Sequence, residues 1–163
     1  MSSSAESGLQ GERIERTRSV DGLPEPTGPY SWAVTWGRLL CISGLRGIDP
    51  ATGVPVERDD DRLRLIFDHL GRILCHHGCS SRDVLATRVY VTDMARLRPP
   101  VNDAYQRFFG PDLPTRTIVE VSALNQGDSV EIEAVAALRS CPGNDGDAEL
   151  AGDLAGPYGL FFV

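Results

Sequence analysis

The sequence predicts an α+β domain in which two amphipathic helices cover one face of a single mixed sheet. Three observations predict it: short segments whose apolar residues alternate, two longer segments whose apolar residues recur at helical spacing, and a segment order of β-β-α-β-α-β-β. With 163 residues, 41% hydrophobic and 24% charged, the chain has the size and composition of one globular unit.

Residues 1–23 are polar and aperiodic, and read as a flexible N-terminal arm. They lack the apolar core of a secretory signal, which points to a cytoplasmic protein. Residues 31–36 and 38–43 are rich in β-branched and aromatic residues and predict two strands that turn at Gly37. Asp49-Pro50-Ala51-Thr52-Gly53 is turn chemistry and predicts the loop that follows. From Asp61, the residues Leu63, Ile66, Phe67, Leu70, Ile73 and Leu74 form one helical stripe, with Arg62, Arg64, Asp68 and Arg72 outside it and Gly78 as the cap. Residues 84–91 alternate as a strand. Val101, Ala104, Tyr105 and Phe108 predict a second helix from about residue 100 to 109, stopped by Gly110-Pro111. Strands over 115–121 and 130–138 complete the domain, which spans 24–139, and residues 140–163 read as an acidic, Gly-rich C-terminal extension.

Several function classes recede on composition. A net charge of −7 repels phosphate backbones, so nucleic acid is not an expected partner. No apolar run approaches the ~20 residues a membrane-spanning helix needs. The four cysteines, Cys41, Cys75, Cys79 and Cys141, read as free thiols. Cys75-His76-His77-Gly78-Cys79 has metal-binding residue types but not the spacing of a zinc site, and reads as a helix end. Asp59-Asp60-Asp61 reads as the acidic start of a helix rather than a calcium loop.

Charged residues inside strands are the positions that ask for chemistry. Glu131 and Glu133 share one face of the last strand; if the helices pack on Val130, Ile132 and Ala134, both glutamates point away from them. Arg116 in the preceding strand then has two readings. It pairs with one of these carboxylates as a cross-strand ion pair on a wet face, or it serves as an anion clamp beside a general base.

A series of motifs bears on that choice. Gly28-Pro29-Tyr30, Ile42-Ser43-Gly44, Asp49-Pro50-Ala51-Thr52-Gly53, Val89-Tyr90-Val91-Thr92-Asp93 and Val101-Asn102-Asp103-Ala104-Tyr105 are followed by Pro114-Thr115-Arg116-Thr117, Val119-Glu120-Val121 and Val130-Glu131-Ile132-Glu133-Ala134. In this order, over residues 24–139, the set resembles the Rid/YjgF family of reactive-intermediate deaminases. The resemblance implies a chorismate-mutase-like fold, a homotrimer with sites between subunits, and hydrolysis of enamine or imine intermediates, 2-imino acids, to ammonia and a 2-oxo acid. By position it also implies the site residues Tyr30, Ser43, Gly44, Asn102, Arg116 and Glu131.

The residue types suit that chemistry. Arg116 offers a planar fork for a substrate carboxylate, and Glu131 offers a carboxyl that delivers a water and then a proton. Backbone N–H groups near Gly44 and Ile118 add donors. Neither metal nor organic cofactor is required. Leu45, Arg46, Ile118 and Asn125 depart from the family's usual residues: Leu45 suggests a more apolar ligand and Arg46 a second anion. These keep open a pathway-specific enzyme on a larger substrate, such as an aminomuconate-like enamine, or a non-catalytic binder of a metabolite or partner. A ribonuclease is disfavoured by charge.

Overall fold

A computed structural model describes residues 13–139. Among them the chain forms six strands and two α-helices, β1 (Glu15–Thr17), β2 (Ala33–Trp36), β3 (Leu39–Arg46), α1 (Asp59–His76), β4 (Val84–Val91), α2 (Met94–Phe109), β5 (Thr115–Glu120) and β6 (Val130–Ala137). One sheet holds all six strands in the order β1-β2-β3-β6-β4-β5. Every pairing is antiparallel except β4 with β5, which α2 joins as a crossover. The sheet is therefore mixed, and the chain folds as one α+β domain.

Both helices lie on one face. The α1 stripe of Leu63, Ile66, Phe67, Leu70, Ile73 and Leu74 is buried against the sheet residues Leu40, Ile42, Val89, Val91, Val130 and Ile132. Gly78 closes α1 with φ +68, and its N–H donates to the Cys75 carbonyl over 2.9 Å. Asp59, Asp60 and Asp61 occupy the first turn of α1, where the helix dipole favours negative charge.

Two expectations need correction. The predicted arm is structured over residues 13–23: β1 pairs with β2, Val20 is buried, and the Thr17 hydroxyl meets the His77 ring over 3.1 Å. A strand at a sheet edge is recruited through backbone groups, so it needs no apolar period. The second helix also starts earlier, at Met94, with Pro99 and Pro100 inside it. Asp93 caps it by accepting from the Arg96 N–H, and Glu120 accepts from the Met94 N–H. These caps and the buried Leu97 hold the first turns although both prolines lack a donor. The C-terminal extension and Cys141 lie outside the described residues. Cys41, Cys75 and Cys79 are free thiols.

Candidate active site

The last strand behaves as its alternation predicts. Val130, Ile132, Ala134 and Ala136 are buried beneath the helices, so Glu131 and Glu133 emerge on the helix-free face. Glu131 stands opposite Arg46 of β3 and Tyr90 of β4. Between Ile42 and Leu45 the β3–β6 register slips, and the two residues in the slip are Ser43 and Gly44. The Glu131 side chain folds directly over Gly44: a Cβ built there would fall on Oε1 and lie 2.7 Å from Cδ. Only glycine lets the carboxyl take this place.

Hydrogen bonds hold the slip in shape. The Ser43 hydroxyl donates to the Ser31 carbonyl over 2.7 Å and its N–H to the Trp32 carbonyl over 3.0 Å, which ties β3 to the segment carrying Tyr30. The Tyr30 ring meets Trp32 edge-on at 5.3 Å, and its hydroxyl accepts from the Thr27 N–H. Tyr30, Ser43, Gly44 and Glu131 thus gather around one irregularity of the sheet.

Electrostatics distinguish the two glutamates. Arg88 of β4 pairs with Glu133 on the exposed face. Glu131 has no such partner among the described residues and is half-buried. Burial raises its carboxyl above the usual glutamate range; the Arg46 charge opposes the rise, and the Asp128 and Glu133 charges add to it. A carboxyl tuned upward in this way keeps its proton to higher pH than an ordinary glutamate, which suits a group that takes up and returns a proton.

Arg116 belongs to a different group. It stands opposite Thr87, whose side chain is buried beneath α2, so Arg116 projects on the helix side of the edge strand β5. Its guanidinium carbon lies 4.7 Å from the ring centre of Tyr105. The Tyr105 hydroxyl donates to Thr87 Oγ1 over 2.8 Å, and burial pushes its own proton affinity up to about 12. Ile118, two residues along β5, packs against the core from the same side, and the exposed Asn102 sits one helical turn before Tyr105. Within one chain, then, Arg116, Ile118 and Asn102 lie on one face of the sheet and Glu131 with Gly44 on the other. The cross-strand pair that the strand pattern allowed is made by Arg88 and Glu133 instead.

Two ligand-wall expectations are corrected. Leu45 is 1% exposed and pairs with Ile132, so it packs into the core beneath α1 instead of lining the Glu131 corner. The slip in β3 causes this by turning Leu45 to the helix side. Arg46 is 8% exposed and donates to the Asn125 carbonyl over 2.8 Å, so it is no open receptor for a second anion.

Asp128 and Tyr105 escaped the sequence reading. Asp128 is 2% exposed beside Arg62, at 3.4 Å, and burial raises its carboxyl above the usual range. An acidic residue in the polar step before an apolar strand was the available signal. Tyr105 was legible only as a member of a core stripe. In the Cys75–Cys79 segment, the Cys79 thiol donates to the carbonyls of His77 and Ala137, and among the described residues no group of three or more His, Cys, Asp or Glu side chains is arranged to hold a metal. No helix among them is long and apolar enough to cross a membrane.

Comparisons with known proteins cover most of the described domain. The family model described as endoribonuclease L-PSP matches residues 22–138. A RutC family protein of Pyrococcus horikoshii is 39% identical over 118 residues, covering 72% of this chain and 93% of its own. The 2-iminobutanoate/2-iminopropanoate deaminase of Mus musculus is 39% identical over 128 residues, covering 76% of this chain and 91% of its own. Among solved structures, RidA of an Antarctic Psychrobacter species superposes with a TM-score of 0.71 at 31% identity, covering 76% of this chain and 99% of that one.

Proposed function

The chain belongs to the Rid/YjgF family, and from that premise we propose that it is a hydrolytic deaminase of 2-imino acids, acting in the cytoplasm as a homotrimer. The placement of Glu131 carries this reading: a half-buried carboxyl without an ion-pair partner among the described residues, laid over a glycine at a break in the sheet, with its proton affinity raised. The relatives named as imine deaminases support the substrate class.

Arg116 binds the carboxylate of the imino acid and so fixes the C=N carbon. Glu131 as carboxylate takes a proton from water, the water oxygen adds to that carbon, and the same carboxyl returns the proton to nitrogen. Collapse of the carbinolamine releases ammonia and leaves the 2-oxo acid, so one water is consumed for each imine. Asn102 and Ile118 border the clamp, and Tyr30, Ser43 and the backbone at Gly44 border the base.

Because the clamp and the base project from opposite faces of one sheet, the proposal places Arg116 of one subunit beside Glu131 of the next. Exposed apolar residues on the helix-free face, Trp36, Leu39 and Val119, give that face a reason to be covered by another copy.

The test generates 2-iminopropanoate in place with an amino-acid oxidase and follows loss of the imine. Acceleration by the wild-type chain, absent with Glu131→Ala, is the expected result. No acceleration by an intact oligomer overturns the reading. RNA cleavage is disfavoured by the net charge of −7. Cleavage that survives Glu131→Ala and Arg116→Ala would belong to another site or another protein.

A further inference from the structure

Among the described residues, Arg46 is the guanidinium that faces the Glu131 carboxyl from a neighbouring strand without pairing to it. It stands opposite Glu131 in the β3–β6 register and is 8% exposed, which is rare for arginine. Its two terminal nitrogens are engaged on either side: one donates to the Asn125 carbonyl over 2.8 Å, the other to Thr27 Oγ1 over 3.5 Å. Asn125 opens a short turn whose next residue, Gln126, is held at φ 56, and Thr27 belongs to the loop that leads into Tyr30. Arg46 therefore bridges two loops that border the Gly44 slip.

Given the deaminase reading above, we infer that Arg46 is a positioning residue of this site: it fastens the Thr27–Tyr30 loop to the Asn125 turn and sets a fixed positive charge beside Glu131, keeping the carboxyl seated over Gly44 in its ionised, water-activating form. A buried cation held by neutral acceptors lacks a full counter-charge of its own, so its field reaches carboxylates around it. The Arg46 charge acts on both Glu131 and Asp128. The other charged or titratable groups facing Glu131 are Glu133 on its own strand, Tyr90 across β4 and, in the proposed assembly, Arg116 of the neighbouring subunit. Glu133 and Asp128 are negative, so among the described residues of one chain Arg46 is the charge that favours the ionised base. This also accounts for the departure at position 46: the residue specifies the state of the base instead of holding a second anion.

The test compares Arg46→Gln, Arg46→Lys and Arg46→Met in the full chain. Glutamine retains hydrogen-bond donation but no charge, lysine retains the charge but not the two-sided fork, and methionine retains neither. The Glu131 carboxyl is followed by carbon-detected NMR of glutamate-labelled protein, with Glu131→Gln identifying its signal, and kcat and KM for 2-iminopropanoate are measured against pH. Arg46→Gln is expected to move the Glu131 titration and the acid limb of kcat upward together, with kcat falling about tenfold near that limb and KM changing little. Arg46→Lys is expected to restore the titration. A folded Arg46→Gln or Arg46→Met whose Glu131 titrates as in wild type overturns the inference, as does a Lys variant that titrates like the Gln variant. The carbon titration needs no substrate. A wild-type chain that hydrolyses no imine therefore sinks the deaminase reading, while the NMR comparison separately decides the role of Arg46.

Discussion

The guanidinium of Arg116 lies 4.7 Å from the centre of the Tyr105 ring, and that ring is itself fixed by a 2.8 Å hydrogen bond to Thr87. A long side chain at an exposed sheet edge is thereby given a platform before any ligand arrives, which lowers the ordering cost of binding. The aromatic face and the hydroxyl have separable roles. Tyr105→Phe keeps the face and leaves Thr87 without its donor, so it is expected to cost about 1 kcal/mol in denaturant unfolding with KM unchanged. Tyr105→Leu removes the platform, and KM for the imine is expected to rise about two- to fivefold, as an exposed cation–π contact of about 0.5–1 kcal/mol predicts. A Leu variant with wild-type KM would show that Arg116 is oriented by something else.

Arg116 and Glu131 lie on opposite faces of the sheet, so mixing subunits reports on how sites are assembled. Arg116→Lys is expected to raise KM by about a hundredfold as the bidentate grip is lost, whereas Glu131→Gln is expected to lower kcat by at least about a hundredfold with little change in KM. Arg116→Ala and Glu131→Ala chains, each inactive alone, are expected to recover about a quarter of wild-type activity when refolded together in equal amounts. That is the fraction of shared sites receiving both intact residues. No recovery, with mixed oligomers demonstrated by mass spectrometry, excludes a site shared between subunits.

Gly44 offers a test of carboxyl placement that leaves Glu131 itself unchanged. A methyl group at position 44 would occupy the space of Glu131 Oε1, and the tip of that side chain is what yields. The φ of Gly44 is not positive, so alanine is compatible with the backbone. Gly44→Ala is expected to fold, with an unfolding midpoint near wild type, and to lose activity by on the order of a hundredfold through displacement of the base. A Gly44→Ala variant with full turnover would mean that Glu131 works from another position.

The residues show why part of this was legible in the sequence and part was not. The α1 stripe and the alternation of β4 and β6 repeat over two or more periods, and such repetition survives any detail of packing, so both elements and the direction of Glu131 could be read. β1 has three residues, too few for a period, and is recruited by the backbone of β2. Leu45 was given to the ligand wall from its place after the Ser43-Gly44 motif, whereas the one-residue slip there turns it to the helix side, a change of face that nothing local announces. The opposition of Arg116 and Glu131 depends on β4 lying between β5 and β6, a relation of strand order that no local pattern encodes.

The raised proton affinity of Glu131 carries a consequence for stability with a definite sign. The folded chain holds this proton more tightly than the unfolded chain does, because burial disfavours the charged form. The folded state is therefore favoured most below the ordinary glutamate value of about 4.3. That contribution is lost as pH rises through the folded-state value, beyond which the buried charge is a constant penalty. Glu131→Gln keeps the shape over Gly44 and carries no charge at any pH. It also relieves the repulsion between Glu131 and Asp128, whose carboxyl is raised by burial as well. The expected result is a Glu131→Gln variant that melts a few degrees above wild type at pH 7 to 8, the difference shrinking as pH is lowered toward 4, in calorimetric scans at matched ionic strength. The base would then be held in place at a cost to the fold, as sites that tune a carboxyl for proton transfer often are. A wild-type chain that melts above the Gln variant at neutral pH would instead mean that the ionised carboxylate is favourably paired in the assembled protein, and the net penalty assigned to the Glu131 charge would be wrong.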